Sequence, residues 1–165
     1  MSTGKGPIVI AFDGSTAAVE AVEQAAGLLG EGREAIILTV WEPGLLTAAV
    51  APIPGGLGAP VPPPDAEQVR DLDRSEEEHA DRIAAEGVSI AAKHGLNATA
   101  KVSRDVASVA STILEVAEQH DSAAIVIGSR RHSAIASVLL GSTTEAVLHK
   151  TSRPLVVIRP PDHKG

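Results

Sequence analysis

Short apolar runs alternate with helix-like segments along the whole chain, and this alternation restricts the fold more than any other feature of the sequence. The runs are bounded by Gly, Pro or Asp, as is typical of strands that are buried on both faces. The segments between them repeat apolar residues every three or four positions, as amphipathic helices do. Strands that alternate with helices form βαβ units, whose crossovers are right-handed. The sequence therefore predicts an α/β fold: an open, doubly wound, five-stranded parallel sheet with helices on both faces.

The individual elements follow from the same pattern and from the turn signals between the runs. The apolar face of the second helix is expected to comprise Val69, Leu72, His79, Ile83, Ile90 and Ala91. The first predicted helix runs from the "DGST" turn to Leu29 and the second from Asp65 to about His94. The third begins after an N-cap at Asp105, and the fourth covers 142–150. The predicted strands are 7–12, 34–40, 95–103, 122–129 and 153–160.

The composition excludes several classes of function. With one Trp, one Phe and no Tyr, the core must be aliphatic and the chain has no platform on which nucleic-acid bases stack. A formal net charge of −7 provides no basic field for nucleic acid or an anionic membrane. The absence of cysteine rules out disulfides and thiolate metal sites, and no apolar run approaches the roughly 20 residues that span a bilayer. We therefore expect one cytoplasmic domain over 1–165 that binds neither nucleic acid nor a membrane.

One compositional break interrupts the pattern. Residues 43–64 are dense in Pro and Gly and carry no charge. So many breakers predict a long loop. One interpretation is a lid or interaction segment over a site at the end of the second strand. The other is a tolerated surface insertion, since a longer loop costs little additional entropy.

Candidate site residues lie at the ends of three predicted strands. They are Asp13, Gly14 and Ser15 after the first strand, Val40 and Trp41 at the end of the second, and residues 128–132 at the end of the fourth. The carboxyl ends of parallel strands meet at one edge of the sheet, and ligands bind there at the point where the strand order reverses. These loops are therefore expected to line one crevice.

The C-terminal stretch "IGSRRHSAIASVLLGSTTEAVL" is the strongest candidate for a phosphate site. Gly141, Ser142 and Thr143 stand at a helix start, where backbone N–H groups lack intrahelical partners and the dipole favours anions. A capping box of Ser142 and Glu145 explains the same residues without a ligand. The phosphate-loop pattern G-x-x-x-x-G-K-[ST] and the dinucleotide pattern G-x-G-x-x-G after the first strand are both absent.

The arrangement as a whole resembles the universal stress protein family. The similarity covers nearly the full chain, through "IVIAFDGS", "AIILTVWEP" and "IVIGSRRHSAIASVLLGSTTEAVLHKTSRPLVVI". It implies a Rossmann-like fold of the adenine-nucleotide alpha-hydrolase-like type. Nucleotide-binding members carry G-x-x-G, nine further residues and then G-[S/T]. Gly128, Gly141 and Ser142 match this motif, but Arg131 occupies the position of its second glycine.

Arg131 leaves two interpretations open. A glycine at that position allows positive φ and close approach of the backbone to phosphates, which arginine restricts. Arginine also brings a planar cation that binds phosphate through two hydrogen bonds. Arg131 therefore either closes the pocket or replaces backbone donors with a charge.

The resemblance also implies roles for individual residues. Ala11 and Asp13 would border the adenine and ribose, and the backbone of Val40 would meet the edge of the adenine. Asp13 is also explained as a turn residue before the first helix. Mg²⁺ would accompany ATP, although no acidic cluster in the sequence identifies a metal site. A homodimer would form through strand 154–158. The implied nucleotide-binding residues are Ala11, Asp13, Val40, Ile127, Gly128, Arg131, Gly141, Ser142 and Thr143.

The expected function is adenine-nucleotide binding, of ATP, AMP or cyclic AMP, in a stress-response or signalling module. No nucleophile, base and orienting partner form a recognisable catalytic set, so we do not expect an enzyme, with slow ATP hydrolysis left open. The alternative is a homodimeric interaction protein that acts without nucleotide because Arg131 closes the pocket. Neither interpretation identifies a protein partner.

Overall fold

The computed structural model describes residues 6–44, 65–105, 107–129 and 141–159. Most of the predicted loop 43–64, together with Arg131, lies outside the described residues. Each of the nine predicted elements is present within these ranges. The strands are β1 (Ile8–Ala11), β2 (Glu34–Trp41), β3 (Asn97–Arg104), β4 (Ala124–Gly128) and β5 (Leu155–Ile158). The helices are α1 (Thr16–Leu29), α2 (Ala66–Lys93), α3 (Val109–Gln119) and α4 (Ser142–Lys150).

The five strands form one parallel sheet in the order β3-β2-β1-β4-β5. β1 is central, and its Ala11 pairs with Leu38 of β2 and with Ile127 of β4. The predicted fold class is therefore confirmed: a five-stranded parallel α/β sheet flanked by helices. Within the described ranges no helix combines the length and the hydrophobicity needed to cross a membrane.

Two aliphatic layers hold the helices on opposite faces of the sheet. Ile8 and Ile10 of β1 point into the layer beneath α1 and α2. Val9, between them, points into the layer beneath α3 and α4, because successive side chains of a strand alternate between faces. All three side chains are fully buried. The near-continuous apolar strands of the sequence are explained by this coverage of both faces.

The buried face of α2 differs from the predicted one. His79 is exposed, and the buried positions are the small residues Ala80, Ala84, Gly87 and Ala91. A Cβ built on Gly87 would lie 2.6 Å from the Ile37 side chain, so the helix approaches the sheet closely. The other predicted positions are confirmed as part of the inner face: Ala91 is buried, and Val69, Leu72, Ile83 and Ile90 are half-buried. The small residues take the fully buried positions because they allow the helix to approach the sheet closely.

The start of α3 also differs from the prediction. Its N-cap is Ser108, whose side chain accepts from the backbone N–H of Ser111 in a capping box. Asp105 lies three residues earlier and accepts from the backbone N–H of Ala107 at 2.9 Å, which makes it a turn residue. Asp and Ser both favour turns and N-caps, so local sequence does not separate the two roles.

Candidate functional site

The strand order reverses between β1 and β4, and this switch point defines the candidate site. The chain leaves β1 for β2 on one side and returns through β3 to β4 on the other. In doubly wound parallel sheets, ligands bind beyond the carboxyl ends of the strands at such a point, so the candidate site is the carboxyl edge of the sheet at β1 and β4. Ala11 is half-buried and Ile127 is 6% exposed, and as paired residues they form adjacent parts of this edge.

The loop after β1 is a tight turn into α1. Asp13 is exposed, and its Oδ1 accepts from the backbone N–H of Ser15 at 3.0 Å. Gly14 has a φ of +75°, which favours glycine. Ser15 is the N-cap of α1 and accepts from the backbone N–H of Ala18. Asp13 therefore acts as a turn residue. It is also exposed at the carboxyl edge of the sheet.

The end of β2 extends beyond the end of β1. Leu38 pairs with Ala11, so Val40 and Trp41 continue past the last residue of β1. Val40 is half-buried at this end. Trp41 belongs to the strand rather than to the following loop, and the Arg104 guanidinium lies 5.5 Å from the centre of its ring.

Gly128, the first glycine of the motif, packs against α1. A Cβ built on it would overlap the backbone carbonyl of Ala17, and its distance to the Ala17 carbonyl carbon would be 2.5 Å. Backbone atoms at a helix start do not move aside as the end of a flexible side chain does. Gly128 is therefore required by the fold, and its presence alone does not indicate a ligand.

Gly141, the later glycine of the motif, has no such packing role among the described residues. Its φ is −55°, which any residue adopts, and a Cβ built on it meets no described atom within 4 Å. It is the N-cap of α4, and no side chain caps the helix. Glycine is one of the residues favoured at an N-cap, but neither the φ nor the packing of the described residues requires a glycine here.

The predicted capping box of Ser142 and Glu145 is wrong. Because Gly141 is the N-cap, Ser142 is the first helical residue, and the backbone N–H of Glu145 donates to the Gly141 carbonyl at 2.9 Å. The N–H groups of Ser142, Thr143 and Thr144 precede the first intrahelical bond and have no acceptor within the helix. Ser142 is exposed and Thr143 is half-buried, so both hydroxyls are accessible at this terminus.

α4 starts at the same edge as the crevice. The helix ends at Lys150 and leads through a short turn to the amino end of β5, so its first residue lies towards the carboxyl edge. Its nine residues span about 13 Å at 1.5 Å per residue. Uncapped N–H groups and the positive end of the helix dipole make this terminus suited to an anion.

Other features of the described residues do not point to chemistry at this edge. A cavity of about 280 Å³ beside Lys150 and Arg153 lies at the amino edge, and one of about 700 Å³ lies along β3 near Lys101 and His120. Within the described ranges, no group of three or more His, Asp or Glu residues has an arrangement that holds a metal ion.

One residue at the site was missed by the sequence analysis. Thr39 is 3% exposed and donates a hydrogen bond through Oγ1 to the backbone carbonyl of Phe12 at 2.9 Å. A hydroxyl in the otherwise apolar run "AIILTV" is the signal that was available, because a buried hydroxyl requires a partner.

These features define a class: α/β proteins with a doubly wound parallel sheet and an anion-suited crevice at the switch point. The model of the universal stress protein family matches residues 6–159. The chain belongs to the universal stress protein family. No curated protein sequence is significantly similar to it.

Solved structures of low sequence identity share the fold. The hypothetical protein MJ0577 is 19% identical, with a TM-score of 0.71 and coverage of 97% of this chain and 99% of that one. The universal stress protein from Archaeoglobus fulgidus, in complex with dAMP, is 22% identical, with a TM-score of 0.56 and coverage of 93% and 97%. A family protein from Arabidopsis thaliana with AMP bound is 14% identical, with a TM-score of 0.60 and coverage of 94% and 92%.

Proposed function

We propose that this protein binds an adenine nucleotide at the carboxyl edge of the sheet and acts as a stress-response or signalling module. The observation that carries the proposal is the start of α4. Gly141 there has no packing or conformational role among the described residues, and Ser142 does not cap the helix. An anion that approaches the uncapped N–H groups accounts for a glycine that the described packing leaves unexplained.

The bound nucleotides of two similar proteins support the choice of ligand. The Archaeoglobus fulgidus and Arabidopsis thaliana proteins hold dAMP and AMP respectively. By position, Ala11, Asp13 and Val40 would surround the adenine and ribose, with Ile127 as the floor. The phosphates would lie among Gly128, Arg131, Gly141, Ser142 and Thr143. With ATP as ligand, we propose that Mg²⁺ enters together with the nucleotide.

The proposed role is binding rather than catalysis. The carboxylate of Asp13 accepts hydrogen bonds from ribose hydroxyls, and the hydroxyls of Ser142 and Thr143 donate to phosphate oxygens. Neither interaction moves a proton or an electron pair. Slow ATP hydrolysis is tested by measuring phosphate release from Mg²⁺-ATP.

Calorimetric titration tests the proposal. We expect AMP, ATP with Mg²⁺, or cyclic AMP to bind the natural protein with micromolar affinity. The double variant Ser142→Ala/Thr143→Val is expected to bind about tenfold or more weakly, because a hydrogen bond to a charged group contributes about 1.5–3 kcal/mol. Ser152→Ala is the matched control, since Ser152 is exposed at the opposite edge of the sheet and its removal leaves the affinity unchanged.

Arg131→Gly separates the two interpretations of the altered motif. If the natural protein binds and the variant binds no more tightly, Arg131 is a working part of the phosphate site. Binding by the variant alone means that Arg131 closes the pocket, and the protein then acts without nucleotide. The absence of binding in both contradicts the proposed site.

We also propose that the protein is a homodimer through 154–158. β5 is an edge strand of the sheet, paired only with β4 among the described residues. Leu155, Val156 and Val157 are half-buried, and an apolar edge strand of this kind invites pairing with a second chain.

Light scattering coupled to gel filtration tests the dimer. The natural protein is expected at twice the mass of one chain, and Val157→Lys at the mass of one chain, because a lysine on an edge strand opposes strand pairing. Val102→Lys is the control on β3, at the opposite edge of the sheet. A single-chain mass for the natural protein, or a Val157→Lys dimer, contradicts the proposed interface.

A further inference from the structure

The hydrogen bonding between β1 and β2 changes at the point where β1 ends. The backbone N–H of Phe12 still donates to the Leu38 carbonyl at 2.8 Å. In a regular parallel ladder, the Phe12 carbonyl would next accept from the backbone N–H of Val40. The backbone hydrogen bonds of the described residues include none from Val40 to that carbonyl. The Thr39 hydroxyl donates to it instead, at 2.9 Å.

The direction of the Val40 backbone follows from its neighbour. The Trp41 carbonyl accepts from the backbone N–H of Asp105 at 2.8 Å, on the β3 side. Because backbone groups of consecutive strand residues point to opposite sides, the N–H of Val40 points to the β1 side. β1 has ended at this level, so among the described residues no backbone acceptor of β1 pairs with this N–H, which lies at the carboxyl edge of the sheet.

We infer that Thr39 is a positioning residue of the nucleotide site: its hydroxyl holds the Phe12 carbonyl in an orientation in which the Val40 N–H makes no bond to it, and so leaves that N–H for the edge of the bound adenine. The inference rests on the proposed function, since it assigns the Val40 N–H to the adenine. An N–H donor of this kind matches an unprotonated ring nitrogen of the base.

The same hydrogen bond also fixes the loop that carries Asp13. Phe12 immediately precedes Asp13, so holding its carbonyl limits the rotation of the peptide that links the two residues. From the other side, Gly14 lies against α2, where a Cβ built on it would be 3.6 Å from Ile83. The turn is thus held between β2 and α2, with the Thr39 hydroxyl as its polar contact to β2.

Amide hydrogen exchange tests this arrangement without any ligand. In the natural protein, the Val40 amide is expected to exchange faster than the amides of the preceding residues of β2, because it has no acceptor in the ladder. In Thr39→Val, the Phe12 carbonyl loses its donor, and the Val40 N–H is expected to bond to it and become protected at least tenfold. Thr39→Ser keeps the hydroxyl and is expected to exchange as the natural protein does.

Titration with AMP then tests the link to binding. Thr39→Val is expected to bind AMP at least tenfold more weakly, while Thr39→Ser stays within about threefold of the natural protein. Addition of AMP is expected to protect the Val40 amide in the natural protein. If Thr39 only stabilised the fold, Thr39→Val would lower the overall stability without a specific change in hydrogen exchange at the Val40 amide.

Failure of the proposed function and failure of the inference about Thr39 give different experimental results. If the natural protein does not bind AMP, ATP or cyclic AMP, the proposed function fails, and the positioning role fails with it. If AMP binds but Val40 is already protected in the free natural protein, the inference about Thr39 is wrong while the proposed function stands. Equal AMP affinity in Thr39→Val and the natural protein overturns the inference in the same way.

Discussion

Gly128→Ala is expected to destabilise the protein by about 3 kcal/mol, at the upper end of the cost of overpacking a core. The added Cβ overlaps the Ala17 carbonyl, which belongs to the backbone at the start of α1. To relieve this overlap, α1 must shift away from β4. The shift separates the fully buried side chains of Ala21 and Val22 from the sheet. A loss of this size lowers Tm by about 6–12 °C in a chain of this length.

Urea denaturation of Gly128→Ala against the natural protein measures the effect. Gly27→Ala is the matched control, because Gly27 lies in the interior of α1 and its added Cβ meets no described atom within 4 Å. There the same substitution is expected to stabilise by up to about 1 kcal/mol through helix propensity. Equal midpoints for Gly128→Ala and the natural protein would refute the packing role of Gly128.

This role changes how the nucleotide motif is interpreted. Gly128 is required by the contact between β4 and α1, so a chain with this fold would retain it whether or not it binds a nucleotide. Gly141 has no such requirement among the described residues. Of the two motif glycines described, Gly141 is therefore the more informative about a ligand.

Arg153→Met is expected to destabilise the protein by about 2 kcal/mol. The Arg153 side chain is only 11% exposed, and it donates to the Ser122 carbonyl and to the carboxylates of Asp121 and Glu118 at 3.1 and 3.2 Å. The carboxylates are about three-quarters exposed, so water replaces the arginine there at little cost. Ser122 is fully buried, and its carbonyl loses a charged donor.

Methionine keeps most of the apolar stem, so the variant isolates the guanidinium from the packing of the side chain. The matched control is Arg104→Met, which removes an arginine that is 59% exposed and 3.9 Å from Asp73. That change is expected to alter stability by at most about 1 kcal/mol, because the exposed ion pair contributes little and the contact of the guanidinium with the Trp41 ring is also on the surface. Denaturant midpoints measure both variants, and equal losses from the two would contradict the anchoring role of Arg153.

The order and type of the elements were predictable because the signals are local. The run "AIVIG" is buried on both faces of the sheet as β4, and the predicted bounds of 142–150 are those of α4. The predicted crevice followed from topology, since a parallel sheet places the ends of β1, β2 and β4 at one edge.

The errors occurred where one residue type serves two roles. Ser142 has the sequence of a capping box with Glu145, but it is the first helical residue and Gly141 is the N-cap. Asp105 resembles an N-cap and forms a turn instead. Ser and Asp side chains bond to nearby backbone N–H groups in turns as well as in N-caps, so the local sequence does not fix which residue is the cap.

The sequence by itself determined the family and the order of strands and helices, because periodicity, turn residues and motif spacing depend on near neighbours in the chain. Only the tertiary structure decided that Gly128 packs against the first helix, that Ser142 does not cap the last helix, and that the Thr39 hydroxyl donates to the Phe12 carbonyl. Each of these depends on which atoms meet when the elements pack against one another. The distances between these atoms are set by the packing of helices on the sheet, and no single segment of the sequence specifies them.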